Sequence, residues 1–368
     1  MRIGFITERM LRGFGVDLVI DRVAGGLAAN GHEVTVYASV TDETLDSGGY
    51  RLKLIPTPAY SFFPRYELSA QRHLRFINEE KNDVYFIETF PYFSYLPRLK
   101  TPAVAVDHGV SSTEGFPWKI RANFAYLNFL HQHLYLRYAR RIVTVSEYLR
   151  QELPAGLRSR TSVIYNGADH YPQRADDSEN GRQSLRSELG VAGDEVLMLY
   201  VGRLAAHHQP YKGTAQLVDM YRRLRTQNPA IRLLMAGFGG EEERAWLEGE
   251  GVLVLANAPA EQMPAIFAAS DIYVTASRWE GFDLPIVEAQ SFGKPVVGLK
   301  IGAHPEVVAD GSSGFLGAGM DEMEKAIMRL AGDEGLRADM GAAALANSER
   351  FRWDRAVKEY QQLLGKVA

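Results

Sequence analysis

Cysteine is absent from the 368 residues of this chain. That absence rules out disulfides, thiol nucleophiles and cysteine-bound metals, and it fits any redox compartment. Positive charge is not in surplus: 41 Lys and Arg against 45 Asp and Glu leave a formal net charge of -4. Nucleic acid is therefore not expected as a partner. No uninterrupted apolar run approaches the ~20 residues that cross a bilayer. Met1-Arg2 leads straight into Ile3-Gly4-Phe5-Ile6, which reads as a first strand rather than a secretory signal, so a cytoplasmic location is expected. What the chain does have is an ordinary 46% of hydrophobic residues and a length that favours two domains over one core.

Two similar halves follow one another. The first opens with a strand at Ile3–Ile6, a loop, Gly13-Phe14-Gly15 and a helical pattern from Val16 to about Ala29. Gly31 ends that helix, and Glu33–Tyr37 reads as the next strand. Short apolar runs at Val84–Ile87, Ala103–Val106 and Ile142–Val145 supply later strands. The pattern restarts with a strand at Val196–Val201 and an amphipathic helix at Thr214–Leu224. Ile231–Met235, Val252–Leu255, Ile272–Thr275 and Val296–Val297 are its further strands. Such alternation predicts an α/β chain of two Rossmann-like, doubly wound domains, with ligand sites at the carboxyl ends of parallel strands. Domains are expected at residues 1–168 and 194–350. The stretch from Asp169 to about Gln183 is rich in Asp, Arg, Ser and Asn, so 169–193 reads as a linker. Asn166-Gly167 before it is a hinge or a plain turn. The closing segment Trp353–Leu364 is helical.

The most informative stretch is Trp279-Glu280-Gly281-Phe282-Asp283-Leu284-Pro285-Ile286-Val287-Glu288-Ala289. It reads as a tight loop and a helix start, because Gly281 permits a bend and Pro285 is tolerated only in a first helical turn. Amide groups of Gly281, Phe282 and Asp283 at a helix N-terminus suit an anion or hydroxyl oxygens. The flanking carboxylates of Glu280 and Glu288 accept hydrogen bonds and so suit a polyhydroxylated ligand. A glutamate in a first turn is also favoured by the macrodipole alone. The company decides: Ala289 is followed by Phe292-Gly293-Lys294-Pro295-Val296-Val297 and by Pro305-Glu306-Val307-Val308. This series resembles the paired-glutamate signature of the retaining nucleotide-sugar glycosyltransferases of family 4, with the GT-B fold. The likeness is strongest from Val201 to Phe315 and looser in the first half.

The resemblance implies two facing domains with an interdomain cleft, and a C-terminal helix at 351–368 that crosses back to the first domain. It assigns Glu280 and the amides of Gly281, Phe282 and Asp283 to the transferred sugar and Glu288 to the ribose. Asp283 stands where many relatives have glycine, so its side chain either adds an acceptor or caps the helix. Arg203 and Lys212 match the pair that grips the donor diphosphate. A lysine at a helix N-terminus is at the wrong end of the macrodipole unless an anion lies there. The loop Ala205-Ala206-His207-His208-Gln209-Pro210 is longer than the family's usual spacing, which makes Arg203 the firmer of the two. Gly237-Phe238-Gly239-Gly240 resembles the donor-side glycine turn, and Leu255 and Asn257 fall where relatives hold the base.

In the first half, Gly13 and Gly15 occupy the place of a glycine loop between donor phosphate and acceptor. A dinucleotide fingerprint would need a third glycine where Leu18 stands and an acid where Ala38-Ser39 close the second strand. Asp107-His108-Gly109 follows a strand, and the resemblance puts His108 beside the reacting sugar carbon. Glu88, ending another strand, is a weaker acceptor-facing candidate. No acidic residue occurs from Gly115 to Ser146, where Lys119, Arg121, Arg137, Arg140 and Arg141 are interleaved with seven aromatics from Phe116 to Tyr138. Such a stretch rests on anionic lipid at the inner membrane face, lines a groove for an extended acceptor, or buries its aromatics and solvates its charges.

The expectation is a retaining, metal-independent glycosyltransferase moving a sugar from a nucleoside diphosphate to a hydroxyl acceptor. No cofactor is expected beyond that donor, and no metal cluster stands out; the adjacent His207 and His208 need not share a face. A nucleotide-sugar epimerase or a non-catalytic nucleotide-sugar-binding protein of the same fold are the rivals. A phosphorylase would need a pyridoxal-linked lysine, for which there is no signal.

Overall fold

The computed structural model describes residues 1–42, 48–57, 65–110, 112–171, 175–207 and 209–367, with side chains of 175–180 left aside. His208 lies outside them. The chain divides into two compact units, Met1–Gly167 with Trp353–Ala368, and Ala168–Arg352.

The first unit holds seven strands: β1 (Arg2–Met10), β2 (Glu33–Thr41), β3 (Arg51–Leu54), β4 (Val84–Ile87), β5 (Ala103–Asp107), β6 (Arg141–Thr144) and β7 (Thr161–Val163). All pair in parallel, in the order β3-β2-β1-β4-β5-β6-β7. Strands at the centre are buried on both faces, which is why Val84–Ile87 reads as one continuous apolar run. The helix Trp353–Leu364 packs on the helix Gly15–Ala29, with Val357 lying against Gly26. Tyr360 of the same helix stacks edge-on against Phe86 of β4, 5.6 Å between centroids.

The second unit repeats the design with β8 (Val196–Arg203), β9 (Ile231–Phe238), β10 (Leu253–Ala256), β11 (Ile272–Thr275), β12 (Val296–Leu299) and β13 (Gly314–Gly317). Its order is β10-β9-β8-β11-β12-β13, again parallel throughout. In both sheets the strand order reverses beside the first strand, between β1 and β4 and between β8 and β11. Those are the switch points where open sheets bind ligands.

One expectation fails. The stretch expected to be a linker, 169–193, instead contains a helix at Ala175–Glu188 that belongs to the second unit. Its polar composition is that of a helix docked through charge. Arg182 donates to the carbonyls of Ala268, Ala269 and Ser270 and to Asp271 Oδ1 at 2.7 Å, and Arg186 reaches Asp271 Oδ2 at 3.0 Å. Two guanidinium groups thereby satisfy the carbonyls that end the helix Met263–Ala269. Among the described residues, no helix is long and apolar enough to cross a membrane.

Candidate active site

In the second unit, the sequence-predicted residues converge on the switch point between β8 and β11. Arg203 is the last residue of β8, and its carbonyl accepts from Tyr200 Oη at 3.2 Å and Thr214 Oγ1 at 3.4 Å. Its guanidinium lies over the Phe238 ring, 5.5 Å from the centroid. Phe238 itself ends β9 and is 53% exposed. A cation held over an aromatic face is oriented by it.

The long loop after β8 turns back and brings Lys212 to Glu280. Pro210–Lys212 form a 3-10 turn that ends on Gly213, whose φ of +69 only glycine adopts at ease. A side chain there would also strike the Ala276 carbonyl. The same turn is bolted to the loop after β11: Arg278 N–H donates to Tyr211 O at 2.7 Å, and Arg278 Nη2 to Pro210 O at 2.8 Å. Lys212 Nζ then meets Glu280 Oε1 at 2.7 Å.

Beside this pair sits a residue the sequence reading passed over. His304 is fully buried, with Nδ1 donating to Leu299 O at 2.7 Å and Nε2 3.1 Å from Asp283 Oδ2. Burial pulls its pKa down, but the Asp283 and Glu280 carboxylates win and hold it above the ordinary imidazole value. Lys212 behaves alike: burial favours the neutral amine, and Glu280 and Asp283 overcome it, leaving a firmly protonated ammonium. Glu280 is raised, by burial first and by Asp283, against the pull of Lys212. The site thus sets an ammonium and a raised imidazole among carboxylates.

Asp283 takes the N-cap position of the helix Leu284–Ser291 with φ +68, yet its side chain makes no cap hydrogen bond. The carboxylate is turned to His304, so of the two roles expected for it, capping is the one not seen. Gly281 and Phe282 precede it on the same buried loop, and the Phe282 ring packs edge-on against Phe351 at 5.7 Å. Glu288 needs a correction too. It is the fifth residue of that helix, past the first turn, so the macrodipole explains little of its placement. It is buried and lies 3.2 Å from His170 Nε2, a second histidine without a local sequence signal.

The glycine turn after β9 is braced from β10. Gly237 has φ +135, and a Cβ there would collide with the Gly202 carbonyl. Asn257, itself at φ +56, donates from its backbone N to Gly237 O at 2.7 Å and from Nδ2 to Gly239 O at 2.8 Å. Leu255 lies half-buried within β10.

The first unit carries a different cluster at its own switch point. Glu88 follows β4 and is buried; its Oε2 stands 2.9 Å from His108 Nε2, so two separately expected residues are partners. Burial pushes the Glu88 carboxyl up, and His108 pulls it back only in part. Next to His108, Asp107 is held below the ordinary value: burial raises it, and His131, Gly109 N–H and His108 outweigh that. His131 is 3.4 Å from Asp107 and packs against Phe90 and Phe93. Gly13 and Gly15 lie exposed in the turn after β1 and at the start of the helix Gly15–Ala29. Asp17, buried in the first turn of that helix, accepts from Leu11 N–H at 2.9 Å and pairs with Arg9 at 3.3 Å. Burial lifts its carboxyl to about 6 against the pull of Arg9. Among the described residues, no group of three or more His, Asp or Glu is placed to hold a metal ion.

The family model for Glycosyl transferases group 1 matches residues 181–346, and that for Glycosyltransferase Family 4 matches 15–171. The chain belongs to the family 4-type GT-B glycosyltransferases. This glycosyltransferase is 25% identical to spore coat protein SA of Bacillus subtilis over 346 residues, covering 86% of this chain and 85% of that one. It is 31% identical to D-inositol 3-phosphate glycosyltransferase of Nocardia farcinica over 231 residues, 58% of this chain and 49% of the relative, so it spans about half of that protein. In fold it is similar to Anabaena Alr3699/HepE in complex with UDP and glucose, with a TM-score of 0.76, 22% identity and 99% of each chain covered.

Proposed function

We infer that this glycosyltransferase moves a sugar from a nucleoside diphosphate to an acceptor hydroxyl, with retention at the anomeric carbon. The observation that carries this is the Lys212–Glu280 pair beside Arg203 at the second sheet's switch point. In this scheme Arg203 and Lys212 take the diphosphate. Glu280, with the loop amides of Gly281, Phe282 and Asp283, takes the sugar hydroxyls, and Glu288 takes the ribose. Gly237 lets the chain pass close beside the phosphates.

The difficult step is departure of the diphosphate from an oxocarbenium-like sugar. Negative charge then grows on the leaving oxygens, next to an ammonium already protonated and a guanidinium already oriented. Each charge-assisted bond is worth about 1.5–3 kcal/mol. Two that strengthen selectively in the transition state supply roughly 10²–10⁴ in rate. These two cations do the neutralising that a metal performs in other transferases, and the reading therefore includes activity without metal or added cofactor. The first unit's loop at Gly13 and Gly15 serves the donor phosphate, and Glu88 and His108 serve the acceptor side. Glu88, pushed up by burial and bonded to His108, gives that side a proton-holding pair.

Nucleotide sugars incubated with a panel of hydroxyl acceptors test the reading, with uridine diphosphate glucose first because the similar Anabaena structure holds UDP and glucose. A glycoside with the donor's own anomeric configuration by NMR, undiminished by a chelator, is the expected result. A product of inverted configuration, a sugar epimer formed without acceptor, or tight donor binding with no turnover would each refute it.

A further inference from the structure

The helix Trp118–Phe129 has no buried residue. Trp118, Ala122, Ala125, Tyr126 and Phe129 follow one another at helical spacing and all face solvent. Trp118 is 73% exposed and Phe129 61%. The opposite side, with Ile120, Asn123, Phe124, Leu127 and Asn128, is only half-buried. A surface helix ordinarily turns its apolar stripe to the core. Here Trp118, Tyr126, Phe129 and Tyr138 point outward, while Phe116 and Phe124 are half-buried and Tyr135 is buried. The ridge runs on through the helical turns of 130–138, where His133, Leu134, Arg137 and Tyr138 stay exposed while Tyr135 and Leu136 are buried. It ends in a groove of about 430 Å³ walled by Lys100, Arg137, Tyr138, Arg140 and Arg160, with no carboxylate among its lining residues. Arg160 is fixed there by its bonds to the carbonyls of Ala139, Leu136 and Arg137.

We propose that this ridge docks the enzyme on an anionic bilayer surface, the aromatic rings entering the headgroup boundary and the cationic groove taking lipid phosphates. The ring chemistry fits, since Trp and Tyr settle where apolar and wet regions meet. Charge complementarity fits, since no acid occurs between Gly115 and Ser146 and the cations there have anions to meet only outside the segment. A second copy of the chain fits poorly. A two-fold contact would set Lys119 and Arg121 against the same charges.

Sedimentation with vesicles tests this and needs no donor or acceptor, so its outcome is separate from the transfer reading. The wild-type chain should sediment with phosphatidylglycerol-containing vesicles and far less with pure phosphatidylcholine, the difference shrinking in high salt. Trp118→Ser, Tyr126→Ser and Phe129→Ser together should lower partitioning about tenfold or more. Arg137→Gln with Arg140→Gln should lower binding to the anionic vesicles about fivefold per cation and so reduce the anionic preference. All five side chains are exposed, so thermal melting should be unchanged. Equal binding to both vesicle types, unaltered binding by the aromatic variant, or a wild-type dimer that the aromatic variant splits would overturn the proposal.

Discussion

The two units share a topology and differ in charge at the same place. Each sheet reverses strand order beside its first strand, and each gathers its candidate residues there. The second unit puts a protonated lysine and a raised histidine among carboxylates, with Arg203 alongside. The first puts a glutamic acid lifted by burial against a histidine, with no lysine or arginine in the pair. The same topology thus carries different chemistry through a few side chains. In the proposed reading the second unit takes the diphosphate and the first the acceptor hydroxyl.

The sharpest way to break this comparison is to remove one residue from each side. Arg203→Ala should lower kcat/KM by roughly 10²–10⁴ and weaken UDP binding. His108→Gln should cut turnover while leaving the UDP dissociation constant unchanged by calorimetry. Equal loss of nucleotide affinity in both variants would erase the division between units.

Next in size is a pH effect confined to the first unit. The Asp17 carboxyl sits at about 6 when folded against an ordinary 3.8. Its contribution is therefore complete below pH ~4 and is lost as pH rises through 6. Asp17→Asn should remove up to about 3 kcal/mol of that fall, seen as a flatter melting temperature between pH 4 and 7. An unchanged profile would mean that Arg9 already compensates the burial.

A smaller effect of the same kind belongs to the second unit. His304 is raised, so the stability it adds by pairing with Asp283 is complete below the ordinary imidazole value and lost as pH climbs above its folded one. His304→Gln should cost about 1–3 kcal/mol at pH 6 and less at alkaline pH. A cost that grows with pH would contradict the pairing.

How much of this was legible in sequence follows from burial. β4 and β11 stand out because both faces are covered, so Val84–Ile87 is an unbroken apolar run and Ile272–Thr275 a buried, largely β-branched one. The strands β3, β7 and β13 lie at sheet edges, are short, and escape any periodicity argument. The helix Ala175–Glu188 was hidden because its anchors, Arg182 and Arg186, meet partners more than eighty residues away. The glutamates at 280 and 288 were visible from a motif. His170, His304, His131 and Asp17 were not, since a lone histidine or aspartate says nothing until the fold supplies its partner. His304 alone left a clue, standing one residue before the Pro305-Glu306 series at the carboxyl end of β12.

The central claim is that Lys212 serves the diphosphate while its partner Glu280 serves the sugar, and calorimetry with free UDP tests it most directly. Lys212→Ala should weaken UDP binding at least about tenfold, the worth of one charge-assisted contact. Glu280→Gln should keep UDP affinity within a few-fold, because it frees the ammonium, and should lose affinity only for the intact nucleotide sugar. Matching losses of UDP affinity in the two variants would contradict the account.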